Sequence, residues 1–592
     1  MSILHALTGL YGRLESNREA PSYGFSRENI SYAIVLSPEG SISDVLDRRD
    51  THSGKTPRPS RLEVPRAVKR TGQPAPNFLW DKTSFVFGAG TGESSRVLRE
   101  HAAFKDFHER LLASSSDEGA EALLRFLRGW RVEEYDGLPH AQEMLDTNIV
   151  FSLKNEMEWL HERSSVKRIW LGHLAGEKGA KGLCLVTGEQ TAIARLHPSV
   201  KGVAGAQGSG ASLVSFDKDA FRSFGKERGA NAPVSERAAF AYTTSLNTLL
   251  ERGSRQRIRI GDTTTLFWAD AAGDETRARA AEDLFSMLSE PPTDEQEAVK
   301  VRDKLAAVEQ GRPLAEVEPE LDGEDTRFFV LGLAPNAARL SIRFWYEDSI
   351  GAIAWRIGEH WRDLRLEPTP WRTEPSARRL LYETAVQRKA ENIPPTLIGA
   401  LMRAILSGGR YPRSLLTAVI TRMHADGEIT GLRAAICKAS LARDHRLGFE
   451  EEDVPVSLNP DETNPAYRLG RLFAVYENVQ RAALGNVNAT IKDRFFASAS
   501  ATPASVFPIL ERSASNHLAS LRKGDKGGLA HWFEKEIDSI FSGVESTFPR
   551  SLRLEDQGRF AIGYHHQRAT KRETPESGSD DIDAGTHVED LP

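Results

Sequence analysis

Cysteine is almost absent. Among 592 residues only Cys184 and Cys437 occur, which excludes a disulfide scaffold and a thiolate zinc cluster. Long apolar runs are absent too; none reaches the roughly 18–20 residues needed to span a bilayer. The opening stretch MSILHALTGLYGRLESNRE is too polar and too regularly spaced for a secretory signal. It reads as an amphipathic helix with Ile3, Leu4, Leu7, Leu10 and Leu14 on one face. A cytoplasmic protein without membrane contact is expected. Catalytic motifs are missing as well: there is no H-E-x-x-H and no C-x-x-C. His565 and His566 are adjacent and so point in different directions on a helix or strand. Asp444 and His445 lack the further ligands a nuclease needs, and His173 and His197 stand alone. The expectation is no metal, no cofactor and no enzymatic activity.

The stretch GAQGSGAS, residues 205–212, comes close to a phosphate-binding loop. Gly205, Gly210 and Ser212 fit G-x-x-x-x-G-K-[ST], but Ala211 stands where the phosphate-reaching lysine belongs. The following ASLVSF reads as a strand, not as the helix whose N-terminus would hold phosphates. Nucleotide binding is therefore only an alternative reading. The glycines still allow positive φ angles and close backbone approach, and Lys201, Gln207 and Ser209 are polar groups beside them.

What the sequence does contain is α+β patterning. The hydrophobic fraction of 40% and the charged fraction of 27% suit a globular chain long enough for several domains. LCLVT and AIARL flank Gly188 and Glu189 as a hairpin, and RQRIRIGDTTTLFWAD forms another with its turn at Gly261 and Asp262. VSERAAFAYTTSLNTLLE reads as a helix with Ser235 as N-cap. Residues 289–326 are acidic and read as a solvated helical insertion. FFVLGLAPNAARLSIRFWYED restores a strand pattern, and after Trp355 the helical period takes over. The expected organisation is a mixed α/β region with β-hairpins over 1–345, a helical middle region over 346–455, an all-α helical bundle over 456–568, and a disordered acidic tail over 569–592.

The net charge of −6 argues against an all-over basic nucleic-acid binder, yet the cations are unevenly spread. Residues 48–82 carry Lys55, Arg58, Arg61, Arg66, Lys69, Arg70 and Lys82 among five prolines, which forbid a continuous helix. The segment is either a solvated loop or one that becomes ordered against phosphates. Asn77 could read a base edge or cap the turn after Pro76. Further cations recur among glycines and aromatics: Lys201 by the glycine loop, Arg257 and Arg259 on a hairpin face, Arg339 and Arg343, and Arg468, Arg471 and Arg481 on a C-terminal helix.

Residues 184–250, beginning CLVTGEQTAIARLHPSVKGVAGAQGSGAS, closely resemble the large subunit of the subtype I-C Cascade, a CRISPR RNA-guided DNA surveillance complex. PNFLWDKTSFVFG (76–88), VLGLAPNAARLSIRFW (330–345), NPAYRLGRLFAVYENVQ (464–480) and EDQGRFAIGYHHQR (555–568) carry the same resemblance, which runs from Met1 to about Arg568. It implies a non-catalytic subunit in antiviral defence. Such a subunit recognises the protospacer-adjacent motif (PAM) on target duplex DNA, promotes strand separation, stabilises the R-loop and recruits the helicase–nuclease, while guide pairing reads the remaining sequence. The implied partners are the CRISPR RNA, the target double-stranded DNA and its displaced strand, the Cascade backbone and cap subunits, the helicase–nuclease effector, and small subunits resembling the chain's own C-terminal region. The cations and Asn77 of 48–82 become candidates near the PAM. The glycine loop, with Lys201, Gly205, Gln207, Gly208, Ser209 and Gly210, becomes a candidate for meeting the DNA. The remaining arginines become contacts to nucleic-acid backbone or to neighbouring subunits. A scaffold subunit that reads no DNA is the alternative.

Overall fold

A computed structural model describes residues 1–50, 57–68, 70, 73–176, 180–322, 326–485, 487–542 and 547–569. The chain is α+β, with helices dominating its C-terminal half. It forms two compact units, one of residues 1–254 with 335–340, the other of the remainder.

The first unit is built on a four-stranded sheet in the order Ile42–Asp47, Tyr32–Leu36, Asn148–Leu153, Trp80–Lys82. Tyr32–Leu36 and Asn148–Leu153 run parallel, which requires a long crossover. That crossover supplies the helices Ser94–Leu112 and Glu118–Gly129. The core is strongly aromatic. Phe78 lies flat between Trp170 and His108, with ring centroids 5.3 and 5.6 Å away. His108 is fully buried; its Nε2 accepts from Leu79 N–H at 2.9 Å, so its Nδ1–H donates to the Phe104 carbonyl at 2.8 Å. Burial pushes its pKa down to about 4.

The proline-punctuated basic segment contributes a strand to this unit. Ser60–Pro65 pairs antiparallel with Phe25–Ile30, opposing Pro65 to Phe25 at the strand end. Proline is tolerated there because the last residue can forgo its ladder N–H. The N-terminal amphipathic helix forms over Ile3–Ser16 with Leu7, Leu10 and Leu14 buried. It packs on the helix Glu236–Leu249, where Ser245 Oγ donates to the Leu7 carbonyl and Tyr11 meets Phe240 edge-on at 5.7 Å. Ser235 is the N-cap of that second helix and accepts from Ala238 N–H at 3.1 Å.

The second unit opens on a four-stranded sheet in the order Arg339–Ser349, Arg327–Asn336, Thr263–Asp270, Arg257–Ile260. Alternation places Trp268, Phe329 and Trp345 on one face. Phe267 and Phe328 lie on the other, against Phe285 of the helix Glu275–Ser289. The acidic segment 289–326 is less solvated than its composition implies. Its helix Glu295–Glu309 buries Ala298, Leu305, Ala307 and Val308, and the Val308 carbonyl sits where a Cβ on Gly358 would be only 2.4 Å away. Glu297 and Asp303 are exposed on a helix whose other face belongs to the core.

The C-terminal helices form as the capping signals indicate. Pro395–Ser407 begins at proline and ends on Gly408 in a left-handed conformation. The helices Pro465–Leu484 and Leu554–Ala569 approach backbone to backbone: a Cβ on Gly470 would lie 2.0 Å from the Phe560 carbonyl, and one on Gly563 would lie 2.1 Å from that of Tyr467. Phe473, Phe496, Phe560 and Tyr564 fill the space beside this crossing. Among the described residues no helix is long and apolar enough to cross a membrane. Of the acidic tail expected over 569–592, Ala569 ends the last helix and residues 570–592 lie outside the described residues.

Candidate nucleic-acid interface

The glycine loop of the first unit is a closed excursion of the chain. Val200 and Ala211 exchange both backbone hydrogen bonds, at 2.9 and 2.8 Å, and shut its base. Asn247 clamps that base from the helix Glu236–Leu249: its Oδ1 accepts from Lys201 N–H at 2.8 Å and its Nδ2 donates to the Ser199 carbonyl at 3.3 Å. Two tight turns complete the loop, with Ala206 N–H donating to Val203 and Gly210 N–H to Gln207. Gly205 and Gly210 have φ of +76° and +96°. A Cβ on Gly210 would stand 2.8 Å from Ser199 Cβ, so glycine is needed there on both counts. Gln207, Gly208 and Ser209 form the exposed tip, and the Lys201 side chain is exposed at the base.

No helix follows the loop. The strand expected over ASLVSF is reduced to isolated bridges at Ala211 and Ser212. Ser212 bridges in parallel to Arg339 in the turn of the hairpin Arg327–Asn336/Arg339–Ser349; its N–H donates to the Ala338 carbonyl at 3.0 Å, and Leu340 N–H donates back to Ser212 at 2.9 Å. A Cβ on Gly205 would meet Pro335 Cγ at 3.3 Å. Arg339 forms an ion pair with Asp217, and its guanidinium lies 5.2 Å from the Phe221 ring. That pair holds the Asp217 carboxyl below the ordinary aspartate range. The glycine loop, the turn 335–340 and the segment 213–231 are thus fastened together. On the flanking segments Arg195, Lys226 and Arg228 are exposed. Sequence reading did not single out these cations because no local motif marks them.

The candidates in 48–82 divide. Arg58, Arg61 and Lys82 are exposed, with Arg61 reaching to 3.5 Å from Glu251. Arg66 is half-buried. Lys55 and Lys69 lie outside the described residues. Arg70 is engaged internally: it donates to the buried Asp81 at 2.6 Å and stacks 4.0 Å from the Phe85 ring. Asn77 is only 4% exposed; its Oδ1 accepts from Val68 N–H at 2.9 Å and its own N–H donates to Asp81. Asn77 therefore organises the fold of the PNFLWDK segment and is buried away from any base edge, whereas Arg70, though paired with Asp81, keeps an exposed surface.

In the second unit, Arg343 pairs with Asp262 at 2.8 Å and Arg259 Nε donates to the Gly261 carbonyl, both bracing the predicted hairpin turn. Arg257 is half-buried on the same strand. Arg468 and Arg471 are 9% and 2% exposed. Arg468 donates to the Glu462 and Ile540 carbonyls, while Arg471 donates to Gln567, Asn459 and Pro460. Burial holds the Arg471 pKa below the usual guanidinium value. Both guanidinium groups of this pair, candidates for contact with nucleic-acid backbone or neighbouring subunits, are engaged inside the helical bundle. Arg481 remains half-exposed and pairs with the buried Glu477 at 2.8 Å.

Among the described residues no group of three or more His, Cys, Asp or Glu side chains is placed to hold a metal ion. The family model described as CRISPR-associated protein (Cas_Csd1) matches residues 7–571. The chain therefore belongs to this family, the large subunits of the subtype I-C Cascade. No curated protein matches it.

Proposed function

We propose that this subunit recognises the PAM on target duplex DNA without catalysing a reaction, and that the glycine loop is where the duplex meets the protein. The observation that carries this reading is the loop's construction. Its base is locked by the Val200–Ala211 bridge and the Asn247 clamp, while its tip offers Gln207 and Ser209 to solvent with Lys201 alongside. A rigid backbone bearing a few exposed polar groups can approach a groove without a large ordering cost. Gln207 supplies both a donor and an acceptor for a base edge, and the cations around it neutralise phosphates. Arg58, Arg61 and Lys82 add exposed positive charge on the same unit. Opening of the duplex, stabilisation of the R-loop and recruitment of the helicase–nuclease follow in this proposal from the subunit's place in Cascade. The CRISPR RNA and the other Cascade subunits are its further partners.

Gln207→Ala tests the assignment. The variant complex assembles normally and opens target DNA more slowly, as read by permanganate reactivity of unpaired thymines. Opening at the wild-type rate would reduce the loop to a connection between two chain segments.

A further inference from the structure

The segment 213–231, which follows the glycine loop, is anchored at both ends and displays one aromatic ring between the anchors. At one end Phe216 and Phe221 meet edge-on at 5.6 Å, and Arg339 covers Phe221 at 5.2 Å while pairing with Asp217. At the other, Gly229 N–H donates to the Arg195 carbonyl at 3.1 Å. A Cβ on Gly229 would lie 2.0 Å from the Ala194 carbonyl, so this anchor is close backbone packing.

Between them, Phe224 is 100% exposed. Its backbone is left-handed, with φ 59° and ψ 26°, and Gly225 follows at φ +66°. A bulky residue with positive φ is a strained choice in a turn where glycine or asparagine would be relaxed. The ring gains no packing in return. Arg222, Lys226 and Arg228 are exposed on either side of it, with Arg222 held 3.3 Å from Asp219. A flat apolar face flanked by cations matches one ligand chemistry well: a nucleobase that has left its stack, with its neighbouring phosphates reaching the flanking cations. An apolar protein pocket would also accept a phenyl ring, but it gives no reason for cations on both sides.

We infer that Phe224 stacks on an unpaired base at the junction where the target duplex opens. The inference rests on the DNA-reading role proposed above. The glycine loop meets the duplex, and the segment fastened to it by Arg339 supplies the aromatic surface that receives the first freed base.

The test uses assembled complexes containing wild-type subunit, Phe224→Ala, Phe224→Leu or Phe224→Trp, with target duplexes carrying 2-aminopurine at successive positions beside the PAM. In the wild-type complex one position is quenched by stacking. Its fluorescence rises several-fold with Phe224→Ala and Phe224→Leu and stays low with Phe224→Trp. Leucine keeps the apolar volume and removes the π face, so recovery by leucine as well as tryptophan would overturn stacking and indicate an apolar protein contact. Fluorescence identical to wild type at every position in Phe224→Ala, with PAM-dependent binding intact, would overturn this inference alone. A wild-type complex whose DNA binding does not depend on this subunit would overturn the site assignment and this inference with it.

Discussion

Ser212 is bridged in parallel to Arg339, with Ser212 N–H donating to Ala338 and Leu340 N–H donating back to Ser212. Through this pair the exit of the glycine loop is fixed to the turn of a hairpin that lies far along the chain. The same Arg339 continues into the Asp217 ion pair and the Phe221 ring. Arg339, a sequence candidate for contact with nucleic-acid backbone or a neighbouring subunit, ties together the segments that surround the proposed DNA contact.

The first prediction separates the glycines. Gly210→Val places a branched side chain at φ +96° and within 2.8 Å of Ser199 Cβ. It should destabilise the first unit by about 2 kcal/mol or more, since left-handed backbone alone costs roughly 1–2 kcal/mol for such a residue. A Cβ on Gly208 would meet nothing within 4 Å, and its φ is not positive. Gly208→Val should leave the melting temperature unchanged and weaken target binding if DNA backbone approaches the tip.

Asn77→Ala is predicted to act on stability and not on PAM choice. It removes the acceptor of a part-buried hydrogen bond from Val68 N–H, a loss of about 1 kcal/mol. A PAM-library selection with the variant complex should return the wild-type preference; an altered preference would restore Asn77 as a base reader.

Arg471→Ala and Lys201→Ala should differ in kind. The first strips donors from Gln567, Asn459 and Pro460 at a 2% exposed position. It should lower unfolding free energy by at least about 2 kcal/mol. The second should leave stability alone and make the slope of log affinity against log salt shallower by about 0.9, the signature of one lost phosphate contact. Chemical denaturation and salt titration of target binding check the pair.

Acid should unfold the protein through buried histidines. Burial lowers His108 and His161 to about 4 and His360 to about 3. The unfolded chain binds protons near the usual 6.5, whereas the folded chain binds them only near 3–4. The stabilisation is therefore complete above that usual value and is lost as pH falls through the window below it. Each histidine contributes a slope of about 1.4 kcal/mol per pH unit within the window. Denaturant midpoints should be flat between pH 7 and 8 and drop steeply towards pH 4.5; a flat profile to pH 4.5 would show that these histidines are not buried as described.

Local signals made much of the fold legible. Ser235 capped its helix, Pro395 and Gly408 bounded theirs, and Gly261–Asp262 turned the hairpin, because each depends on neighbours in sequence. The basic segment hid the strand Ser60–Pro65, since its prolines sit where a strand can spare N–H groups. ASLVSF alternates like a strand but finds partners only at Ala211 and Ser212. Arg468 and Arg471 looked like an exposed face three residues apart. Gly470 between them lets another helix approach the backbone, and distant carbonyls satisfy both guanidinium groups. Of the candidate site, the glycine loop and Lys201 were legible as chemistry. Their attachment to the turn 335–340 was not, because a parallel bridge between remote residues leaves no local pattern.

Contact between the glycine loop and target DNA is the step on which PAM recognition by this subunit would depend. Its most direct test is photocrosslinking from the loop tip, at position 207, in assembled complexes presented with duplexes that carry or lack the PAM. A crosslink to DNA at or beside the PAM is expected, and it should disappear when the PAM is scrambled. No crosslink at this position in a complex that still binds its target, or one indifferent to the PAM, would contradict it.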